Sequence, residues 1–145
     1  MEGLKKYNSN HLTDILNIGS IIHREIKLQL AVYQKIFKYN LKGACGLASI
    51  TLFDKLKSKY NLNVIFGSYK KEPHCWLEYN NLIIDLTATQ FNIKKEVYIA
   101  KYNHKYKAIA KVTSVKFFKL WNSFANPLNY LVIWRDNMPI FKYKS

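Results

Sequence analysis

Two adjacent asparagines, Asn80 and Asn81, separate two runs of strand-forming residues and constrain this chain more than any other feature. The flanking runs, residues 74–79 and 82–87, are rich in aromatic and aliphatic side chains. Asparagine tolerates positive φ, which both central residues of a type I′ turn require. The segment therefore predicts a β-hairpin with a two-residue turn, and a turn of that length sets the register of its strands.

The register of this hairpin brings a histidine beside a carboxylate. Counting back from the turn places Trp76 opposite Asp85 and His74 opposite Thr87. Because side chains alternate between the faces of a sheet, these four share one face, and Cys75 is expected in the core on the other. His74 and Asp85 become diagonal neighbours with Cβ atoms ~7 Å apart or less, a gap that a hydrogen bond between them can close.

Two helical segments precede the hairpin. Residues 11–38 carry apolar groups on most sides, as a buried helix does, with a possible break near Gly19 and an end at Asn40 and Gly43. The next segment runs from Ala44, has Cys45 in its first turn and ends near Lys59 or Tyr60. Its small and apolar residues recur at helical spacing, which predicts a second buried helix.

The remaining pattern predicts mostly strands. Residues 63–69, 97–102 and 106–112 have strand character, and residues 70–73 form a polar loop. Ser114 is a candidate N-cap for a helix over residues 115–124, and Pro127 could open a short final helix through Trp134. The order of elements predicts a single α+β domain spanning residues 1–145, in which N-terminal helices pack on an antiparallel sheet.

Cys45 is a candidate nucleophile because of its place in the first turn of the second predicted helix. There it meets the positive end of the helix dipole and unpaired backbone N–H groups, which both stabilise a thiolate. Gly43 and Gly46 flank it and leave room for a carbonyl to approach. With His74 as the base and Asp85 as the carboxylate that orients it, these residues predict nucleophilic attack on amide carbonyls.

Three further residues are candidates for binding the oxyanion or the substrate. Asn40, five residues before the cysteine, is the candidate side-chain donor to the oxyanion, beside the backbone N–H of the nucleophile. Gln90 follows the carboxylate and could offer an amide donor, although the pattern favours a structural turn role. Trp76 packs against the imidazole or the cleft wall, and an ordinary core position is nearly as well supported.

Three segments together resemble the core of papain-like and transglutaminase-like cysteine enzymes, including small bacterial members such as the lasso-peptide leader peptidases. They are GACGLA at 43–48, HCWLE at 74–78 and IID at 83–85. The resemblance covers residues 40–90 and implies Cys at a helix start, then His and Asp on adjacent antiparallel strands. It implies a peptidase, amidase, deamidase or transglutaminase that acts on a protein or peptide. In one departure, no Gln precedes Cys45 at the papain spacing.

Charge and composition leave two alternatives. The net charge is +14, but the cations are almost all lysines scattered along the chain, so specific nucleic-acid binding is not expected. Two cysteines outside any C-x-x-C pair predict neither structural zinc nor another cofactor. Without an apolar leader or a membrane span, the expected location is cytoplasmic. A non-catalytic binding module of the same fold and a basic nucleic-acid-binding protein remain the alternatives to an enzyme.

Overall fold

A computed structural model describes residues 9–30, 44–112 and 130–143. Its two α-helices are α1 (Ser9–Leu30) and α2 (Cys45–Leu56). The strands are β1 (Leu62–Tyr69), β2 (Glu72–Tyr79), β3 (Leu82–Asp85), β4 (Tyr98–Lys101), β5 (Tyr106–Val112), β6 (Tyr130–Arg135) and β7 (Met138–Tyr143). A 3₁₀ helix, Ala88–Phe91, follows β3. Helices followed by antiparallel strands make this an α+β fold, as the sequence predicts.

The predicted hairpin is the centre of the main sheet. Five antiparallel strands pair in the order β4-β3-β2-β1-β5, while β6 and β7 form a separate two-stranded sheet. Asn80 and Asn81 have φ of 47° and 64°, as a type I′ turn requires. Tyr79 pairs with Leu82, so the predicted register is confirmed.

The main sheet separates two apolar clusters. On one face, α1 and α2 pack over alternating strand residues such as Val64, Leu77 and Ile84. On the other face lies a smaller, mostly aromatic cluster with members from four strands: Ile65, Tyr69, Trp76, Ile83 and Tyr106. The alternation of side chains along each strand therefore divides a helix-covered face from a second face that carries His74 and Trp76.

α1 is continuous through Gly19, where the sequence suggested a break. A Cβ atom at Gly19 would lie 2.9 Å from a methyl carbon of Val97. The glycine therefore lets the helix approach the chain before β4, and close packing explains the residue better than a break. Among the described helices, none is long and apolar enough to cross a membrane.

Two other predictions were wrong and one lies outside the described residues. The expected loop 70–73 is a two-residue turn, because Lys70 and Lys71 adopt positive φ and Pro73 already belongs to β2. The described part of the expected short final helix, residues 130–134, belongs instead to β6, which turns into β7 at Asp136 and Asn137. The expected helix 115–124 lies outside the described residues.

Candidate active site

His74 and Asp85 form a fully buried pair. His74 Nε2 lies 2.7 Å from Asp85 Oδ2, and neither side chain is exposed to solvent. The hydroxyl of Tyr106 donates to the same carboxylate oxygen at 2.7 Å. The other oxygen accepts the backbone N–H of Thr87 at 2.9 Å and its hydroxyl at 3.3 Å. The carboxylate thus has partners on both oxygens, as a buried charge needs.

This carboxylate keeps the imidazole charged. Burial is the largest single cause and opposes a charge on His74, but the contributions of Asp85 and Cys45 together outweigh burial and raise the pKa of His74 to about 10; the charge of Asp85 and the hydrogen bond to it are the larger of these contributions. A hydrogen bond with Cys45 and the charge of its thiolate act in the same direction. At neutral pH the site therefore holds an imidazolium.

Cys45 is the first residue of α2 and so lies in the first turn of that helix, as predicted. The first hydrogen bond at this helix start runs from the N–H of Ala48 to the carbonyl of Ala44, and no side chain caps the helix. A hydrogen bond from Cys75 is the largest cause that lowers the pKa of Cys45, and the hydrogen bond and charge of His74 lower it further. Burial acts in the opposite direction but does not prevail, so the pKa of Cys45 lies well below that of an ordinary thiol, which favours the thiolate.

The contact of Cys75 with Cys45 corrects the expectation that Cys75 is a simple core residue. Its hydrogen bond to Cys45, followed by burial, raises the pKa of Cys75 well above the ordinary range, so it remains a thiol. β3 pairs with β2 only as far as Leu77, so β2 is an edge strand where it carries His74 and Cys75. At such an edge, one residue can contact side chains from both faces of the strand, and Cys45 does so.

Aromatic rings enclose the imidazole. Phe91 packs edge-on against His74, with ring centroids 4.8 Å apart, and Trp76 lies 5.9 Å away. The indole of Trp76 donates to the hydroxyl of Tyr102 at 3.0 Å, which in turn donates to Glu78 at 2.6 Å. Trp76 therefore packs beside the imidazole, one of the positions that the sequence suggested for it, and a hydrogen-bonded chain holds it there.

Gln90 reaches the site from the 3₁₀ helix. Its amide nitrogen lies 3.4 Å from His74 Nδ1 and 3.1 Å from the hydroxyl of Thr87. A distance of 3.4 Å is long for a hydrogen bond, so the imidazole holds the amide NH₂ of Gln90 only weakly. This NH₂ group could donate to a ligand instead. A cavity of about 300 Å³ opens beside it, lined by Tyr69, Lys70, Glu72, Gln90 and Phe91.

The structure brings together five of the six residues that the sequence singled out. The five are Cys45, His74, Asp85, Trp76 and Gln90. The sixth, Asn40, lies outside the described residues. Sequence reasoning missed Tyr106 and also His23, which contacts the carbonyl oxygen of Leu86 through Nδ1 at 2.7 Å and so ties α1 to the residue after the carboxylate.

No group of three or more His, Cys, Asp or Glu residues that could hold a metal ion is present in the described part of the chain. Comparison with family models, curated proteins and solved structures finds no match for this chain.

Proposed function

We propose that this chain is a cysteine-dependent hydrolase or acyltransferase that acts on amide bonds of a protein or peptide, with peptidase activity the first choice. The observation that supports the proposal most strongly is the buried His74–Asp85 pair with Cys45 at the start of a helix beside it. If this buried ion pair only stabilised the fold, there would be no reason for a nucleophilic side chain to lie against the imidazole.

Attack begins from a thiolate–imidazolium pair. Nε2 of His74 is engaged by Asp85, which leaves Nδ1 for the proton that Cys45 has given up. The thiolate adds to the carbonyl carbon of the amide, and the carbonyl oxygen becomes an oxyanion. The backbone N–H groups at the start of α2, that of Cys45 among them, are the donors that stabilise it.

Collapse of this adduct breaks the C–N bond. His74 gives its Nδ1 proton to the leaving amine, and the acyl group remains on Cys45 as a thioester. Neutral His74 then removes a proton from water or from a second amine, which attacks the thioester and releases Cys45. Asp85 holds the ring in the required orientation throughout, through the hydrogen bond of 2.7 Å to Nε2.

The same observations support the finer proposal that the core is papain-like or transglutaminase-like. A cysteine at a helix start and a His and Asp on adjacent antiparallel strands occur here in the chain order that the resemblance implies. The amide that papain-like enzymes place before the cysteine is absent at that spacing. We assign the second oxyanion donor to Gln90, which lies beside the imidazole instead.

Thiol labelling tests this proposal without knowledge of the substrate. At pH 6 to 7, iodoacetamide should alkylate Cys45 far faster than Cys75, because only the first is held as a thiolate. His74→Ala should slow the labelling of Cys45, and peptide mapping identifies which thiol reacts. Slow and equal labelling of both cysteines in the folded protein would refute the nucleophile and favour a non-catalytic binding module.

A further inference from the structure

The cavity beside His74 is positioned to select a substrate side chain. It has a volume of about 300 Å³, and two of its lining residues, Gln90 and Phe91, also contact the imidazole. Tyr69 stacks on Phe91 with ring centroids 4.0 Å apart and forms an aromatic wall. A substrate side chain that enters this cavity therefore lies close to the bond that Cys45 attacks.

Lys70 lines this cavity, and two more lysines are its immediate neighbours; the three together are called the rim. Lys70 and Lys71 form the turn between β1 and β2, and both are exposed. Lys105 lies next to Lys70, because its carbonyl accepts the backbone N–H of Lys70 at 2.9 Å. Within the described residues none of the three forms a salt bridge. Glu72 is the one carboxylate among the lining residues.

We propose, on the basis of the function proposed above, that the substrate is a peptide with an acidic side chain close to the scissile bond. The lysines at the rim supply the positive potential, and a cleft with low-dielectric aromatic walls concentrates that potential. An Asp or Glu side chain in the cavity is attracted to this rim, whereas a Lys or Arg side chain is repelled. The carboxylate of Glu72 weakens this attraction, so it reduces the preference for acidic over basic side chains.

Peptide chloromethyl ketones that alkylate Cys45 measure this selection directly. We would compare acetylated tetrapeptide probes that differ only in Glu, Gln or Lys, with that residue scanned over each position. At low salt and at the most sensitive position, the Glu probe should react about tenfold faster than the Lys probe, with Gln between them. The difference should shrink as salt screens the rim.

Charge substitutions test whether the rim is responsible. Lys70→Glu should lower the Glu-to-Lys rate ratio at least severalfold, and Glu72→Gln should raise it, because both side chains line the cavity. Lys101→Glu is the matched control because this substitution makes the same change in net charge. Lys101 lies at the far end of the sheet, where it pairs with Leu82. The control should leave the ratio unchanged; an equal fall in the ratio for both lysine variants would overturn the proposal.

Failure of this inference and failure of the proposed function are distinguishable. Equal rates for the three probes at low salt, with rapid labelling of Cys45 by iodoacetamide, would overturn the acidic preference and leave the nucleophile in place. Slow labelling by iodoacetamide as well as by every probe would overturn both. Faster reaction of the Lys probe would assign the cavity to basic side chains and so also refute the inference.

Discussion

Asp85→Asn preserves the shape of the side chain that orients His74 but removes its charge. The carboxylate accepts two hydrogen bonds on each of its oxygens. An asparagine offers one carbonyl oxygen and one NH₂ group in place of the two carboxylate oxygens. In either orientation of the amide, the two donors that contact one of those oxygens therefore meet an NH₂ group instead of an acceptor. The substitution therefore disturbs this site even though the volume is unchanged.

The two orientations of the amide fail in different ways. With NH₂ in place of Oδ1, the buried N–H of Thr87 loses its acceptor, which costs about 1–3 kcal/mol of stability. With NH₂ in place of Oδ2, the hydroxyl of Tyr106 can rotate to accept, but His74 must give up its Nε2 proton. The remaining proton then lies on Nδ1, where the neutral ring can no longer act as a base toward Cys45.

We expect Asp85→Asn to lower turnover by about 10- to 100-fold, or roughly 1.4–2.7 kcal/mol in the barrier. The loss is partial because the thiolate forms before attack. Cys45→Ala and His74→Ala should abolish turnover, since nucleophile and base act together. The assay is turnover of a peptide substrate beside a thermal melt of each variant, with Asp54→Asn, which removes a surface carboxylate, as the control. Asp85→Asn with unchanged turnover and an unchanged melt would refute the assigned role.

The pH dependence of turnover, the reactivity of Cys45 and the close packing at Gly67 can each be measured. Turnover should have a bell-shaped pH dependence. The acid limb should lie well below the ordinary thiol pKa because the pKa of Cys45 is lowered, and the alkaline limb should lie near pH 10, where His74 loses its proton. An alkaline limb near pH 6.5 would show that the pKa of His74 is not raised. Cys75→Ala removes the hydrogen bond that most lowers the pKa of Cys45, so the pH profile of iodoacetamide labelling should shift upward, and an unshifted profile would contradict this contact. Gly67→Ala should lower the free energy of unfolding by about 1–3 kcal/mol in denaturant titrations. A Cβ atom at this position would lie 2.5 Å from a ring carbon of Trp76 and would clash with the backbone of β5. An unchanged midpoint of the denaturant titration would refute this close packing.

The sequence predicted the hairpin and the His74–Asp85 pair because both depend on local rules. Two asparagines set the turn, the turn sets the register, and alternation sets the face. The position of Cys45 at a helix start follows from helical spacing just as directly. These features need no knowledge of how distant parts of the chain meet, so residue patterns alone were sufficient.

The failures depend on tertiary contacts or on competing turn signals. Gly19 suggests a break because glycine weakens a helix, yet α1 is continuous there, and close packing against Val97 explains why a glycine occupies the position. In the C-terminal region, Pro127 suggested a helix start. The β-branched and aromatic run of β6, followed by an Asp-Asn turn at positive φ, is the stronger signal and favours a hairpin.

Tyr106 shows why part of the site could not be predicted from local patterns. It lies on β5, whereas Asp85 lies on β3, and β1 and β2 separate these strands in the sheet. The phenol can reach the carboxylate only by crossing this face of the sheet, where Gly67 on β1 has no side chain and a β-bulge shifts the pairing with β5. A bulge changes which residues oppose each other and is not specified by the alternation that fixes the hairpin. The carboxylate that orients the imidazole thus follows from local sequence, whereas the hydroxyl that satisfies it depends on long-range strand pairing.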